Sequence, residues 1–267
     1  MQFITNNEKL LQYIPNVVAE VEGEATLFEK ITPHVERAEQ WFISNITTPA
    51  WIGAQQEKVT LNAYACAIIA AEAFRTAIPS LDVILTENGF GIVSNQTVVP
   101  ASRDRINALI ESLIETRDVT IEQLVIMLGG TGSKFAGLIF RGYEAQRMQG
   151  VTSHLYAKYL EQQPRIIVLQ RNLAAEAVSI NIMGQLVEVA YSDRDSMDVH
   201  KRYLIEQLTN IIVLQLEGKD AKKDIWRVVD YIRTRPSVFP DWAMSEAAEY
   251  WRDKTFKNDK KLGGYWL

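Results

Sequence analysis

The stretch VIMLGGTGSKF, Val125 to Phe135, sets three glycines, Gly129, Gly130 and Gly132, ahead of Lys134. Residues of these types can cradle a nucleotide. Glycines let backbone N–H groups turn toward phosphate oxygens, a lysine reaches the outer phosphates, and a following hydroxyl holds magnesium. The spacing argues against that chemistry. The phosphate loop G-x-x-x-x-G-K-[ST] needs glycine before the lysine and a hydroxyl residue after it. Here Ser133 and Phe135 occupy those places, and the loop is one residue short. A phosphate loop also follows a strand, whereas DVTIEQLVIMLGG carries a helical stripe of Ile121, Leu124, Val125 and Leu128. Thr120 and Gln123 have the spacing of a capping box, and Gly129 falls where a helix-ending glycine belongs. The reading is an interhelical connection, and no cofactor is expected.

The other candidate groups are sparse. His34, His154 and His200 form no pair at metal-ligand spacing. His34 reads as a surface residue in a first helical turn. YSDRDSMDVH gathers Asp193, Asp195 and Asp198, but Met197 and Asp198 stand where a calcium loop needs an oxygen ligand and a glycine. Carboxylates at a helix start are favourable in themselves, because exposed N–H groups lie there. The single cysteine, Cys66, sits among small apolar residues and reads as a buried thiol, since a reactive thiolate needs electropositive neighbours. Ser133 beside glycine does not make a G-x-S-x-G elbow. No catalytic, cofactor or metal residue is expected.

Composition bounds the rest. The chain has 267 residues, 47 % of them hydrophobic, and a formal net charge of −5. That length allows one large or two small domains. The acidic balance argues against a surface built to grip nucleic acid, since phosphate affinity comes from clustered Lys and Arg. The start MQFITNNEKLL lacks the charged region and apolar run of a signal peptide. No run is read as reaching the roughly 18 apolar residues of a membrane span, so a cytoplasmic site of synthesis is expected.

The elements that position these residues are mainly helices. LFEKITPHVERAEQWFISNI places Val35, Ala38, Trp41 and Phe42 on one face, with Pro33 expected in the first turn. An alanine-rich helix follows and is expected to end at Pro79. Another begins after Pro100 with Ser102 as N-cap and Ile106, Leu109, Ile110, Leu113 and Ile114 as its stripe. Between them, about 81–99, LDVILTENGFGIVSNQTVV sets Asn88-Gly89 between two β-prone runs, a pattern that suits a type I′ turn. A hairpin projecting from the body is expected, with Phe90 near its tip either meeting a partner or folded back. Further helical stretches follow: one that is helical on either side of Pro164, one ended by Gly218, one capped by Asp220, and a last one capped by Asp241. Tyr265, Trp266 and Leu267 close the sequence, either folding back on their own chain or docking on a neighbour. The fold class is thus mainly α, a helical bundle with a projecting β-hairpin. Two regions, 1–128 and 129–267, and one continuous bundle are both compatible.

One likeness reaches further. The blocks LFEKITPHVERAEQWF and AYACAIIAAEAFRTAIPSLDVILTENGFGIVSNQTVVPASRDRINALIESL resemble the head–tail connector (adaptor, or head-completion) proteins of tailed bacteriophages. The likeness is to a family found in phages and prophages of Bacteroides-like hosts, and it covers the first half of the chain best. It implies a structural protein without catalysis, a ring of twelve copies beneath the portal protein, joined to tail proteins and enclosing the DNA channel in the virion. It implies no membrane and no sequence-specific contact with DNA. Asn88, Gly89, Phe90, Tyr265, Trp266 and Leu267 are then the candidate assembly interface. The alternatives are a host-side helical binding or regulatory module without catalysis, and an enzyme with a dispersed site.

Overall fold

The computed structural model describes residues 3–14, 23–48, 51, 59–81, 83–86, 89–92, 102–129, 132–193 and 195–252, with 83–86 and 89–92 described by their backbone. The architecture is mainly helical. In chain order come α1 (Asn7–Leu11), α2 (Leu27–Asn45), α3 (Val59–Leu81), β1 (Val83–Thr86), β2 (Gly89–Ile92) and α4 (Arg103–Met127). A 3-10 turn (Gly142–Arg147) leads to α5 (Leu155–Leu173), a π-helical turn (Ala174–Val178), α6 (Ile180–Val189), α7 (Val199–Leu216) and α8 (Lys222–Arg233). A short 3-10 turn (Trp242–Met244) and α9 (Glu246–Tyr250) complete the described chain.

Local chemistry sets the helix ends. Thr26 and Glu29 form a reciprocal capping box at α2, so α2 starts well ahead of Pro33. That proline lies inside the helix rather than in its first turn. The Ser102 hydroxyl accepts from the Arg105 N–H at the start of α4. Asp198 accepts from the His200 and Lys201 N–H groups, each at 3.0 Å, to open α7. Gly218 closes that helix with φ +74, in the left-handed region that glycine adopts without a Cβ penalty.

Three expected ends move. Helix α4 runs unbroken through Thr120, because no glycine or proline interrupts it. The Thr120 hydroxyl donates to the Thr116 carbonyl at 2.6 Å instead of capping anything. Pro79 lies within α3, which continues to Leu81. Asp241 makes no cap; its carboxylate accepts from the Asn181 amide at 2.9 Å, and Ser245 caps α9.

Helix α3 is the central one. Its buried Ala65, Ala70, Ala71, Ala73 and Ala77 let α2 and α4 approach closely. Among the described residues it is the one helix long and apolar enough to cross a membrane by length and composition, which corrects the expectation that no run qualifies. Alanine raises its hydropathy, yet 67 % of that apolar window is buried inside the protein. Its Glu72 and Arg75 are ion-paired within the bundle. Cys66 is fully buried on this helix, and burial pushes its thiol pKa up.

Strands β1 and β2 pair antiparallel, Val83 with Ile92 and Thr86 with Gly89. That register puts Gly89 in the second strand rather than in the turn. Asn88 lies outside the described residues.

One cluster of buried apolar side chains runs from Phe3 to Ala248. At one end the rings of Phe3 and Trp51 stack at 6.3 Å, with Phe42 edge-on to both. Glu39 holds the start of the chain there, accepting from the Phe3 N–H at 2.5 Å and the Ile4 N–H at 3.2 Å. Further along, Phe135, Phe140, Tyr156 and Tyr159 form a second aromatic group. The irregular segment 133–141 is held by side chains in place of a ladder. Gln170 spans Ile139 and Gly137, Tyr159 donates to the Phe140 carbonyl, and Tyr191 donates to the Phe135 carbonyl.

Candidate functional site

The Gly129–Lys134 connection is occupied by its own backbone. Gly129 adopts φ +58 at the end of α4. Gly132 lies against Trp51, where a Cβ would come within 3.0 Å of the indole. The Lys134 N–H donates to the Ile46 carbonyl at 3.0 Å, and the Phe135 N–H donates to the Ser133 hydroxyl at 3.2 Å. These N–H groups, which a phosphate would need, are committed internally, and through Lys134 the connection is tied to the end of α2. Gly130 and Thr131 lie outside the described residues.

A cleft of about 390 Å³ lies between α4 and the chain that leads into α5. On α4, Glu111, Glu115, Asp118 and Glu122 follow at steps of four, three and four, which puts them on one helical face. Tyr143, Gln146 and Thr152 to His154 form the opposite wall. His154 adopts φ +55, an uncommon conformation outside glycine, and its Nε2 lies 3.2 Å from Glu111 Oε1.

Two of the carboxylates are structural anchors. Helix α5 begins without a side-chain cap of its own. Asp118 supplies one from α4, accepting from the Tyr156 N–H at 3.1 Å. The other Asp118 oxygen accepts two N–H groups of Arg117, at 2.8 and 2.6 Å. Arg117 donates in turn to Glu72 on α3 at 2.6 Å and lies 5.3 Å over the Trp41 ring on α2. A single guanidinium therefore connects three helices, and through Asp118 a fourth.

Glu122 is the second anchor. It accepts from the Tyr156 hydroxyl at 2.6 Å and the Tyr143 N–H at 3.3 Å. Burial raises its pKa above the ordinary carboxylate value, against the Tyr156 hydrogen bond and the nearby Arg141 charge. Burial also raises the phenol pKa of Tyr156, Tyr159 and Tyr191. Arg141 donates to the Ala190 and Ser192 carbonyls and lies over the rings of Tyr143 and Tyr191.

Glu122 therefore keeps its proton to a higher pH than an ordinary carboxyl does. The remaining acids give the cleft a negative field that favours cationic groups. Among the described residues no cluster of three or more His, Cys, Asp or Glu is placed to hold a metal ion.

The sequence-derived candidates lie elsewhere. Gly89 and Phe90 are in β2, opposite Thr86 and Leu85. Asn88, Tyr265, Trp266 and Leu267 fall outside the described residues, as does the Phe90 side chain. His34 is half-buried rather than on the surface, 3.1 Å from the Thr76 hydroxyl, and burial followed by the Arg37 charge lowers its pKa. The row Glu111, Glu115, Asp118 and Glu122 was present in the sequence as a helical spacing. It becomes visible once α4 is read through Thr120, which a cap assigned to Thr120 prevents.

No curated protein and no solved structure matches the chain. Residues 25–140, from just before the N-cap of α2 to Phe140 beyond α4, are similar to a family of unknown function, DUF6712.

Proposed function

We propose that the chain is a structural virion protein, a head–tail connector subunit that forms a ring beneath the portal and encloses the DNA channel. The observation that carries this reading is apolar surface on α4. Val119, Ile126 and Met127 are 53 %, 39 % and 50 % exposed and fall on one face of the helix. Grouped apolar side chains in water mark a contact surface. Beside them runs the acidic row of the cleft, so the surface suits a neighbour that offers apolar and cationic groups. The projecting hairpin, with Asn88, Gly89 and Phe90, supplies the other contact in this reading. An acidic subunit also suits a channel that must let DNA slide.

The test is the assembly state of the full chain, by native mass spectrometry and negative-stain microscopy, alone and with a portal protein. Rings, of twelve copies in this reading, are expected alone or on the portal. A monomer that stays monodisperse at high concentration and ignores the portal overturns the proposal.

A further inference from the structure

A second surface lies at the far end of the described chain. The π-helical turn Ala174–Val178 widens the backbone after α5, and Ser179 follows with φ +88, its hydroxyl accepting from the Ile182 N–H to cap α6. The last described segment is fastened across this turn. The Trp242 indole N–H donates to the Ala177 carbonyl at 2.9 Å, and the Trp251 indole N–H donates to the Glu176 carbonyl at 2.5 Å. Between the two segments lies a cleft of about 170 Å³ with Ala174, Ala175 and Ala247 in its lining. Ser179, Asn181, Asp241, Ser245 and Glu246 complete the lining with Ile180, an apolar patch among polar groups, and roughly 150 Å³ is the volume that accepts one benzene ring. Ile180 in the lining, and Met244 and Tyr250 in the segment that carries Ser245 to Ala247, stand 73 %, 86 % and 64 % exposed. Glu176, Asp241 and Glu246 are exposed at the same place.

We propose that this cleft seats the aromatic segment Tyr265-Trp266-Leu267 of the same chain. Three observations select that occupant. Residues 253–267 continue from Arg252, one residue beyond Trp251, which is bonded to the Glu176 carbonyl, and about thirteen residues of chain can span up to about 43 Å. The stretch between contains Lys254, Lys257, Lys260 and Lys261 against Asp253 and Asp259, a basic linker that complements the acidic rim. Gly263 and Gly264 directly precede the aromatic residues and let the chain turn into the cleft. A linker this short also gives the tethered segment an effective concentration in the millimolar range, which favours its own cleft over a neighbour's. The inference is independent of the connector reading and stands or falls separately.

The test uses the full chain with two added cysteines, Met244→Cys at the exposed rim and Gly264→Cys beside the aromatic residues. Under mild oxidation at low protein concentration, an intramolecular disulfide is expected, seen as a shifted monomer band. Adding Trp266→Ala should lower its yield about tenfold, the effect of losing one well-buried apolar side chain. High salt should lower it as well, through screening of the lysines. A control pair, Val59→Cys with Gly264→Cys, should crosslink little. Disulfide dimers in place of the intramolecular bond overturn the proposal, and so does a yield that matches the control or ignores Trp266→Ala.

Discussion

Arg117 and Glu72 lie 45 residues apart in the chain, and their side chains meet at 2.6 Å inside the bundle, each less than a tenth exposed. The pair fixes α4 against α3, and the same guanidinium holds Asp118 in position to cap α5. Arg117→Ala leaves the buried Asp118 without its cation and takes one of two from Glu72, which keeps Arg75, and should destabilise the fold by about 3–5 kcal/mol. Arg117→Lys should also be costly, since an ammonium cannot reproduce the planar fork. The cost of Arg117→Met together with Glu72→Gln should fall below the sum of the single variants. Denaturant midpoints at constant slope provide the measurement.

Glu72 and Glu122 should respond to pH in opposite senses. For Glu72, burial acts to raise the pKa, but hydrogen bonds and charge from Arg75 and Arg117 outweigh it, so the value lies below the ordinary 4.5. Its contribution is present above pH 4.5 and is lost as pH falls through the lowered folded value. For Glu122 the folded pKa is raised, so the unfolded chain releases its proton first. Stability is then lost as pH rises from 4.5 through the folded value. Glu122→Gln should therefore stabilise the protein at neutral pH, and the gain should vanish below pH 4.5. Thermal unfolding of both proteins across that range would show it; a gain independent of pH would contradict the assignment.

Glycines separate close approach from simple permissiveness. A Cβ on Gly142 would lie 2.4 Å from Tyr156 Cζ, in a fully buried ring that is itself bonded to Glu122. Gly142→Ala should cost about 1–3 kcal/mol as overpacking. Gly184, inside α6, has nothing within 4 Å of a Cβ position. Gly184→Ala should stabilise by about 0.5–1 kcal/mol, through helix propensity and a less flexible unfolded chain. Melting temperatures of the two variants should move in opposite directions.

The caps give a local test. Thr26→Ala removes the hydroxyl that accepts from the Glu29 N–H and donates to its carboxylate at α2, leaving the bond from the residue 26 N–H, and Ser102→Ala removes the acceptor for the Arg105 N–H at α4. Each should cost about 1 kcal/mol. Thr120→Ala, which removes a back-bond inside α4 rather than a cap, should cost clearly less.

The exposed face of α4 carries the assembly prediction. Ile126→Lys and Met127→Lys alter exposed positions in the last turn of α4, where a cation suits the helix dipole, and should change stability by no more than about 1 kcal/mol. Under the connector reading they should prevent or weaken ring formation. Unchanged rings in native mass spectra would remove this face from the interface.

The sequence by itself determined the helical class, because helical periodicity is a local property and each stripe needs a buried side. It also determined the caps at Ser102 and Asp198 and the glycine ends at Gly129 and Gly218, since these depend on residues within one turn. It showed that the residues around Lys134 depart from the phosphate-loop pattern, and in the structure the Lys134 and Phe135 N–H groups bond to Ile46 and Ser133.

Only the tertiary structure decided which charges are partners. Nothing in the spacing of Glu72, Arg117, Asp118 and Tyr156 announces a shared network, because those contacts form between helices and depend on how they cross. The same holds for Glu122, whose raised pKa follows from burial that no neighbouring residue in the chain dictates. Thr120 shows the converse. A good cap signature was overridden because α4 continues favourably on both sides of it, and its hydroxyl found the carbonyl of Thr116 four residues back. Local chemistry sets where a helix can start. Packing decides whether it does, and which buried groups then have to satisfy one another.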